Sequence, residues 1–231
     1  MSGERLSNVE SWQRDAVLKR VLVSLAEKCA RLRETCYWAG ASAIAMEELH
    51  QRQSFDLAFH TCKALADVRL ILAEIQLAFP GGFEVVSGPD EYGSGFKGVL
   101  QLPGREAVTL EVLSNYKDVP AGHLVVSTVA PQFRRVSVRR FLADKIQCIA
   151  ERAEARDLVD IAALLRRFPE LRDEARGVLR SQDALILAER LTAWSEASVR
   201  EDLAAYRDVD PVDALAVRDL LLGWLLGENR S

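Results

Sequence analysis

Paired cysteines are missing from this sequence. Its 4 cysteines, Cys29, Cys36, Cys62 and Cys148, form no CxxC, and its 3 histidines complete no metal pattern. Structural zinc needs closely spaced ligands, so the thiols read as reduced, small hydrophobes of an intracellular chain. A basic excess is missing as well. Lys+Arg number 30 against 34 Asp+Glu, a formal charge of -4. That excludes coating of nucleic acid by bulk charge and leaves room only for a local basic patch. No apolar run approaches the roughly 20 residues that span a bilayer. The opening MSGERLSNVESWQRD is polar and mixed in charge, unlike a signal peptide. The expectation is a cytoplasmic protein with no membrane partner. There is no internal repeat. Disorder is excluded too, because 49% of the 231 residues are hydrophobic and only 28% charged.

What is present divides in two. Apolar spacing predicts one amphipathic helix over residues 9–33, capped by Asn8 or Ser11. An extended piece and tight turn follow at Tyr37-Trp38-Ala39-Gly40-Ala41-Ser42, then a short helix over 43–49. Alternation over 54–60 predicts a strand. A long helix is predicted from Thr61 or Ala64 to Phe79, stopped by Pro80-Gly81-Gly82. The runs FEVVS, SGFKGVLQL and AVTLEVL read as an antiparallel meander. Residues 117–132 read as a connection holding one strand at 124–127. Beyond residue 138 the pattern is helical, with Phe141, Ile146, Ile149 and Ala150 on one face, a helix over 156–167, and two or three more to 226. Trp194, Trp224 and the leucines of 220–226 are expected to close that core. The fold class is α/β (α+β): a mixed sheet flanked by helices over 1–132, followed by a helical domain over 133–231.

Three places could carry chemistry. Gly40-Ala41-Ser42 opens a helix, where free N–H groups and the positive dipole end suit a phosphate. Arg52-x-Ser54-x-Asp56 follows, and a carboxylate there could hold the magnesium that bridges phosphates. Glu111 interrupts the apolar run VTLEVL, where a carboxylate needs a partner or a metal. Lys145, the last lysine of the chain, precedes Arg152, Arg156, Asp157 and Asp160 at helical spacing. The bland readings are a turn-fixing or Arg52-paired Asp56, an edge-strand Glu111 facing water, and ordinary capping by Asp157 and Asp160.

Together these places resemble the nucleotidyltransferase AbiEii/AbiGii toxin family. WAGASAIAMEELHQRQSFDLAFHT resembles its first motif, a Gly-Gly-Thr/Ser turn, a short helix and Arg-x-Ser-x-Asp-x-Asp on a strand. FLADKIQCIAERAEARDLVDI resembles its helical motif, an Ala-x-Lys helix followed by Arg and Arg-Asp-x-x-Asp. VTLEVL sits where the family places a third acidic residue. The resemblance implies a polymerase-beta-type nucleotidyltransferase fold and Mg²⁺ or Mn²⁺ as cofactor. It implies that Asp56 and Glu111 are metal ligands, that Gly40, Ala41, Ser42, Arg52, Ser54, Arg156 and Asp157 bind the nucleotide, and that Lys145 and Asp160 complete the catalytic set. It also implies a toxin–antitoxin or abortive-infection role, with an NTP, a tRNA or other RNA, and an antitoxin protein as partners.

The sequence departs from that pattern at two positions. Ala58 stands where the second aspartate belongs, and Ala41 replaces the second glycine. Alanine at a left-handed position would cost about 1 kcal/mol. Strand alternation puts Asp56, Ala58 and His60 on one face, so His60 is a possible substitute ligand. Two functions compete: transfer of a nucleotide from an NTP to an RNA (tRNA) or protein hydroxyl, and a degenerate pseudoenzyme that binds nucleotide, RNA or an antitoxin. The basic run Phe133-Arg134-Arg135-Val136-Ser137-Val138-Arg139-Arg140 offers either an RNA contact or a solvated loop.

Overall fold

The computed structural model describes residues 11–50, 54, 56–102, 106–152, 154–206 and 209–227. The chain divides into two compact units, residues 1–48 with 53–136 and residues 49–52 with 137–231. Among the described residues no helix is long and apolar enough to cross a membrane.

The first unit begins with helix α1 (Ser11–Lys28) and helix α2 (Ala30–Thr35). A single helix was the expectation here, and the proposed cap Asn8 lies outside the described residues. The break falls at Cys29, whose backbone leaves helical geometry. Glu74 explains it: its carboxylate accepts the Arg31 and Leu32 N–H groups at 2.8 and 3.0 Å and so starts a new helix from a distant part of the chain. Strand β1 (Cys36–Ala39) leads into helix α3 (Gly40–Ile44) and a wide turn over Ala45–Leu49. Strand β2 (Asp56–Ala64) follows. The predicted helix from Thr61 is therefore wrong at its start. Thr61 pairs with Cys36, and Ala64 reaches Asn115 after a bulge, so sheet pairing overrides local helical propensity. The helix α4 (Arg69–Ala78) is shorter than expected.

Strands β3 (Phe83–Ser87), β4 (Gly95–Gln101) and β5 (Ala107–Asn115) form the expected antiparallel meander. Strands β6 (Leu124–Val126) and β7 (Arg134–Val136) complete one seven-stranded sheet, ordered β3-β4-β5-β2-β1-β7-β6. Leu57 and Phe59 of β2 and Val108, Leu110 and Val112 of β5 are buried on one face. Helix α1 packs on β2 and β5 with Val17, Leu18, Val21, Leu22 and Leu25 buried. The other face of β2 and β5 is only half-buried.

Strand β7 runs through the basic cluster, so that cluster is no solvated loop. Arg135 is buried, donating to Glu47 Oε2 at 2.5 Å and pairing with Glu48. The Glu47 Oε1 atom accepts the Ser127 hydroxyl and the Thr128 and Val129 N–H groups. Arg135 is thus withdrawn from any RNA backbone.

The second unit packs helices α5 (Val138–Arg152), α6 (Ala155–Arg167), α7 (Arg172–Ser181), α8 (Ala184–Ala193), α9 (Glu196–Leu203) and α10 (Pro211–Leu225). Among the described residues four helices follow α6 rather than two or three. The cuts are side-chain caps: Asp183, Ser195 and Asp210 accept the first N–H groups of α8, α9 and α10. Trp194 is buried as expected. Trp224 is half-buried under Arg176, 4.8 Å from its ring, and Leu226 is exposed.

Burial alone would raise the Glu47 pKa. The hydrogen bonds from Ser127, Thr128, Arg135 and Val129 outweigh it and hold the carboxyl below its ordinary range. A lowered folded-state value stabilises fully above the unfolded value of about 4.3 and is lost as pH falls through the folded one. Glu47→Gln is therefore expected to destabilise the first unit at pH 7, with the difference from wild type closing in acid. Arg135→Met strands a buried carboxylate and is expected to cost about 3–5 kcal/mol. Urea denaturation at a series of pH values reads both.

Candidate active site

The half-buried face of the sheet collects the predicted site residues of the first unit. Asp56, Ala58 and His60 share it by strand alternation. In the β2–β5 register Asp56 lies opposite Thr109, Ala58 opposite Glu111, and His60 opposite Leu113. Asp56 and Glu111 are thus one diagonal step apart, about 8 Å between Cα atoms. Ser54 is buried and its hydroxyl donates to Asp56 Oδ1 at 3.1 Å, which orients that carboxylate. Glu111 has Ala58 on one side and Lys97 of β4 on the other. The row across the sheet reads Ser87, Lys97, Glu111, Ala58, Ala39.

Gly40 follows Ala39 at the end of that row. Its φ of 73° is left-handed, and a Cβ there would lie 3.2 Å from the Ala58 Cβ. The left-handed φ favours glycine, and the Ala58 methyl leaves little room for a side chain. Ala41 sits inside α3 with no positive φ, so the anticipated strain at Ala41 does not arise. Ser42 is buried and its hydroxyl accepts the Trp38 indole N–H at 3.1 Å. That bond uses the hydroxyl as an acceptor and leaves its O–H as a donor. Arg52 lies outside the described residues.

His60 lies on the same face, one diagonal step from Glu111 in the β2–β5 register. It stands four residues from Asp56, about 13 Å along the strand, and its ring meets Tyr37 edge-on at 5.9 Å. Among the described residues no three His, Cys, Asp or Glu side chains come together to hold a metal ion. The donor set present is two carboxylates. That fits one magnesium carrying substrate phosphates, since Mg²⁺ is commonly held by one or two carboxylates plus phosphate oxygens. It does not fit a cage for two ions.

In the second unit Lys145 is buried between two wholly buried carboxylates, Asp157 Oδ1 at 2.6 Å and Asp160 Oδ2 at 2.8 Å. Arg152 adds two hydrogen bonds to Asp157, at 3.0 and 3.1 Å. The structure thus places Lys145, expected at a phosphate, and Asp157, expected at the nucleotide, inside a clamp that ties α5 to α6. Arg156 turns away to Glu154 and to the Tyr206 hydroxyl. Burial and then the Asp157 carboxylate push the Cys148 thiol up to about 11, and burial pushes Cys29 and Cys36 up to about 12. These thiols stay protonated, in keeping with inert packing.

Sequence reasoning missed Lys97; it named Arg152 at helical spacing from Lys145 but not its hydrogen bonds to Asp157. Lys97 becomes visible only once β4 is registered against β5. Arg152 sits on the helical stretch that was read, but its convergence on Asp157 needed the turn between α5 and α6.

Comparison with known proteins identifies the family and the fold. The profile of the family described as nucleotidyl transferase AbiEii toxin, type IV toxin–antitoxin system, matches residues 65–220. The fold is similar to that of the MenT4 nucleotidyltransferase toxin of Mycobacterium tuberculosis, with a TM-score of 0.62, 18% identity, and coverage of 94% of this chain and 84% of that one. It is also similar to JHP933 of Helicobacter pylori, with a TM-score of 0.53, 18% identity and 96% of each chain covered. No curated protein sequence matches the chain.

Removing the ammonium from the Lys145 clamp leaves two buried carboxylates without it. Lys145→Met is expected to destabilise the second unit by about 3–5 kcal/mol. Adding Asp160→Asn should recover part of that loss, and chemical denaturation of the double-mutant cycle measures it.

Proposed function

The chain belongs to the nucleotidyl transferase AbiEii toxin family, and on that premise we propose that it binds an NTP at the Asp56–Glu111 face. It transfers the nucleotidyl group to a hydroxyl of RNA, tRNA first, or of a protein. The observation that supports this most is the juxtaposition of Gly40, Ala58, Asp56 and Glu111 at one end of the sheet. A left-handed glycine lets a polyphosphate approach the backbone closely. Two carboxylates stand on the adjoining strands.

Asp56, oriented by Ser54, and Glu111 would hold a magnesium ion. When bound, such an ion offsets phosphate charge and favours in-line displacement. The residues themselves do three things. The Gly40 turn admits the phosphates, Ser54 fixes the Asp56 oxygen, and the carboxylate pair offers a base for the proton the hydroxyl loses. The acceptor oxygen bonds to the α-phosphorus and pyrophosphate leaves, so the balance closes without a redox partner.

A second reading is favoured by one observation. Ala58 puts a methyl group at the centre of the site, between Gly40 and Glu111. A chain so altered would bind nucleotide without transferring it, and its biological partner would then be an RNA or an antitoxin protein.

Label transfer from each of the four NTPs into total RNA, with Mg²⁺ or Mn²⁺, separates the two. Transfer by wild type, reduced at least a hundredfold in Asp56→Ala, is the expected result (about 3 kcal/mol of transition-state stabilisation). Silence in wild type together with transfer by Ala58→Asp would establish the binding role instead.

A further inference from the structure

Lys97 is an exposed ammonium on β4, directly opposite Glu111 in the antiparallel register. Opposed residues of this kind have Cβ atoms about 5 Å apart on the same face. Lys97 therefore stands two strands from Ala58 and one from Glu111, in the row that ends at Gly40. Among the described residues Lys97 and Glu111 form no ion pair with each other or with another side chain. Glu84, the acidic residue of the outer strand, faces Val99 one step further along. The ammonium thus lies beside Glu111 without being held in an ion pair among the described residues.

The charge of the face gives it a use. Asp56 and Glu111 repel a triphosphate, and the donor set suits one divalent ion. An ammonium beside Glu111 reduces the two negative charges of the face to one net charge without recruiting a second ion. Lysine suits this task, because it reaches along a flexible stem and binds phosphate as a point charge.

We propose that Lys97 contacts the phosphates of the bound NTP and supplies, beside Glu111, positive charge that one magnesium alone does not. This rests on the proposed nucleotide site at Asp56 and Glu111. The competing role is an ordinary cross-strand partner of Glu111, which would influence sheet stability and not ligand affinity.

The test is equilibrium binding of Mg²⁺-ATP, GTP, CTP and UTP by isothermal titration calorimetry to wild type, Lys97→Met, Lys97→Gln and Lys97→Arg, with Tm measured for each. The expected result is a Kd weakened about tenfold in Lys97→Met for the NTP that wild type binds best, the loss of one charge-assisted contact. Lys97→Arg should restore most of the affinity, and Tm should change little. An unchanged Kd in both neutral variants overturns the role of Lys97 and leaves the nucleotide site standing. A lowered Tm with unchanged Kd assigns Lys97 to the sheet and overturns the proposal as well. No binding of any NTP by wild type overturns the nucleotide site itself, and Lys97 with it.

Discussion

The parallel pairing of β2 with β5 is the constraint on which the candidate site depends. It buries Leu57, Phe59, Leu110 and Val112 under α1 and leaves Asp56, Ala58 and Glu111 on the opposite face. A slip of one residue would turn the carboxylates into the core and the leucines outward. The apolar pattern of the two strands therefore fixes the geometry of the polar one. β1 adds the second half of the constraint. Its antiparallel register sets Ala39 opposite Ala58 and delivers the Gly40 turn to the end of the same row. A methyl group at position 58 lies where that row meets the Gly40 turn.

Each unit is also pinned by a buried set of charges. Glu47 and Arg135 tie the turn after α3 to β7, and Lys145 with Asp157, Asp160 and Arg152 ties α5 to α6. Such groups cost desolvation when buried, and their Coulomb attraction roughly repays it. An alternative packing that separated them would leave a carboxylate or a guanidinium buried without its partner. The same burial places Lys145, Asp157 and Asp160 in contact with one another.

Much of the architecture was legible. Alternation marked β2 through β5, turn residues marked the meander, and helical spacing marked α5 and α6. The failures share a cause, which is tertiary partners far off in sequence. Glu74 cuts the first helix at Cys29, and pairing with Cys36 and Asn115 carries β2 past Thr61. Glu47 and Glu48 turn Arg135 from a loop residue into a buried strand residue. At the site, Asp56, Ala58 and Glu111 could be named from spacing and family resemblance, and the methyl at Ala58 was visible at once. The opposition of Lys97 to Glu111 was not, because register is a property of two strands and spacing a property of one.

We propose that this face, with Asp56 and Glu111 but Ala58 between them, holds a nucleotide with a single divalent ion. Counting Mn²⁺ bound by electron paramagnetic resonance, in the presence of a non-hydrolysable NTP analogue, tests it most directly. One Mn²⁺ per chain, lost in Asp56→Ala, is the expected result. Two tightly held ions in wild type, or one that survives Asp56→Ala, would contradict it.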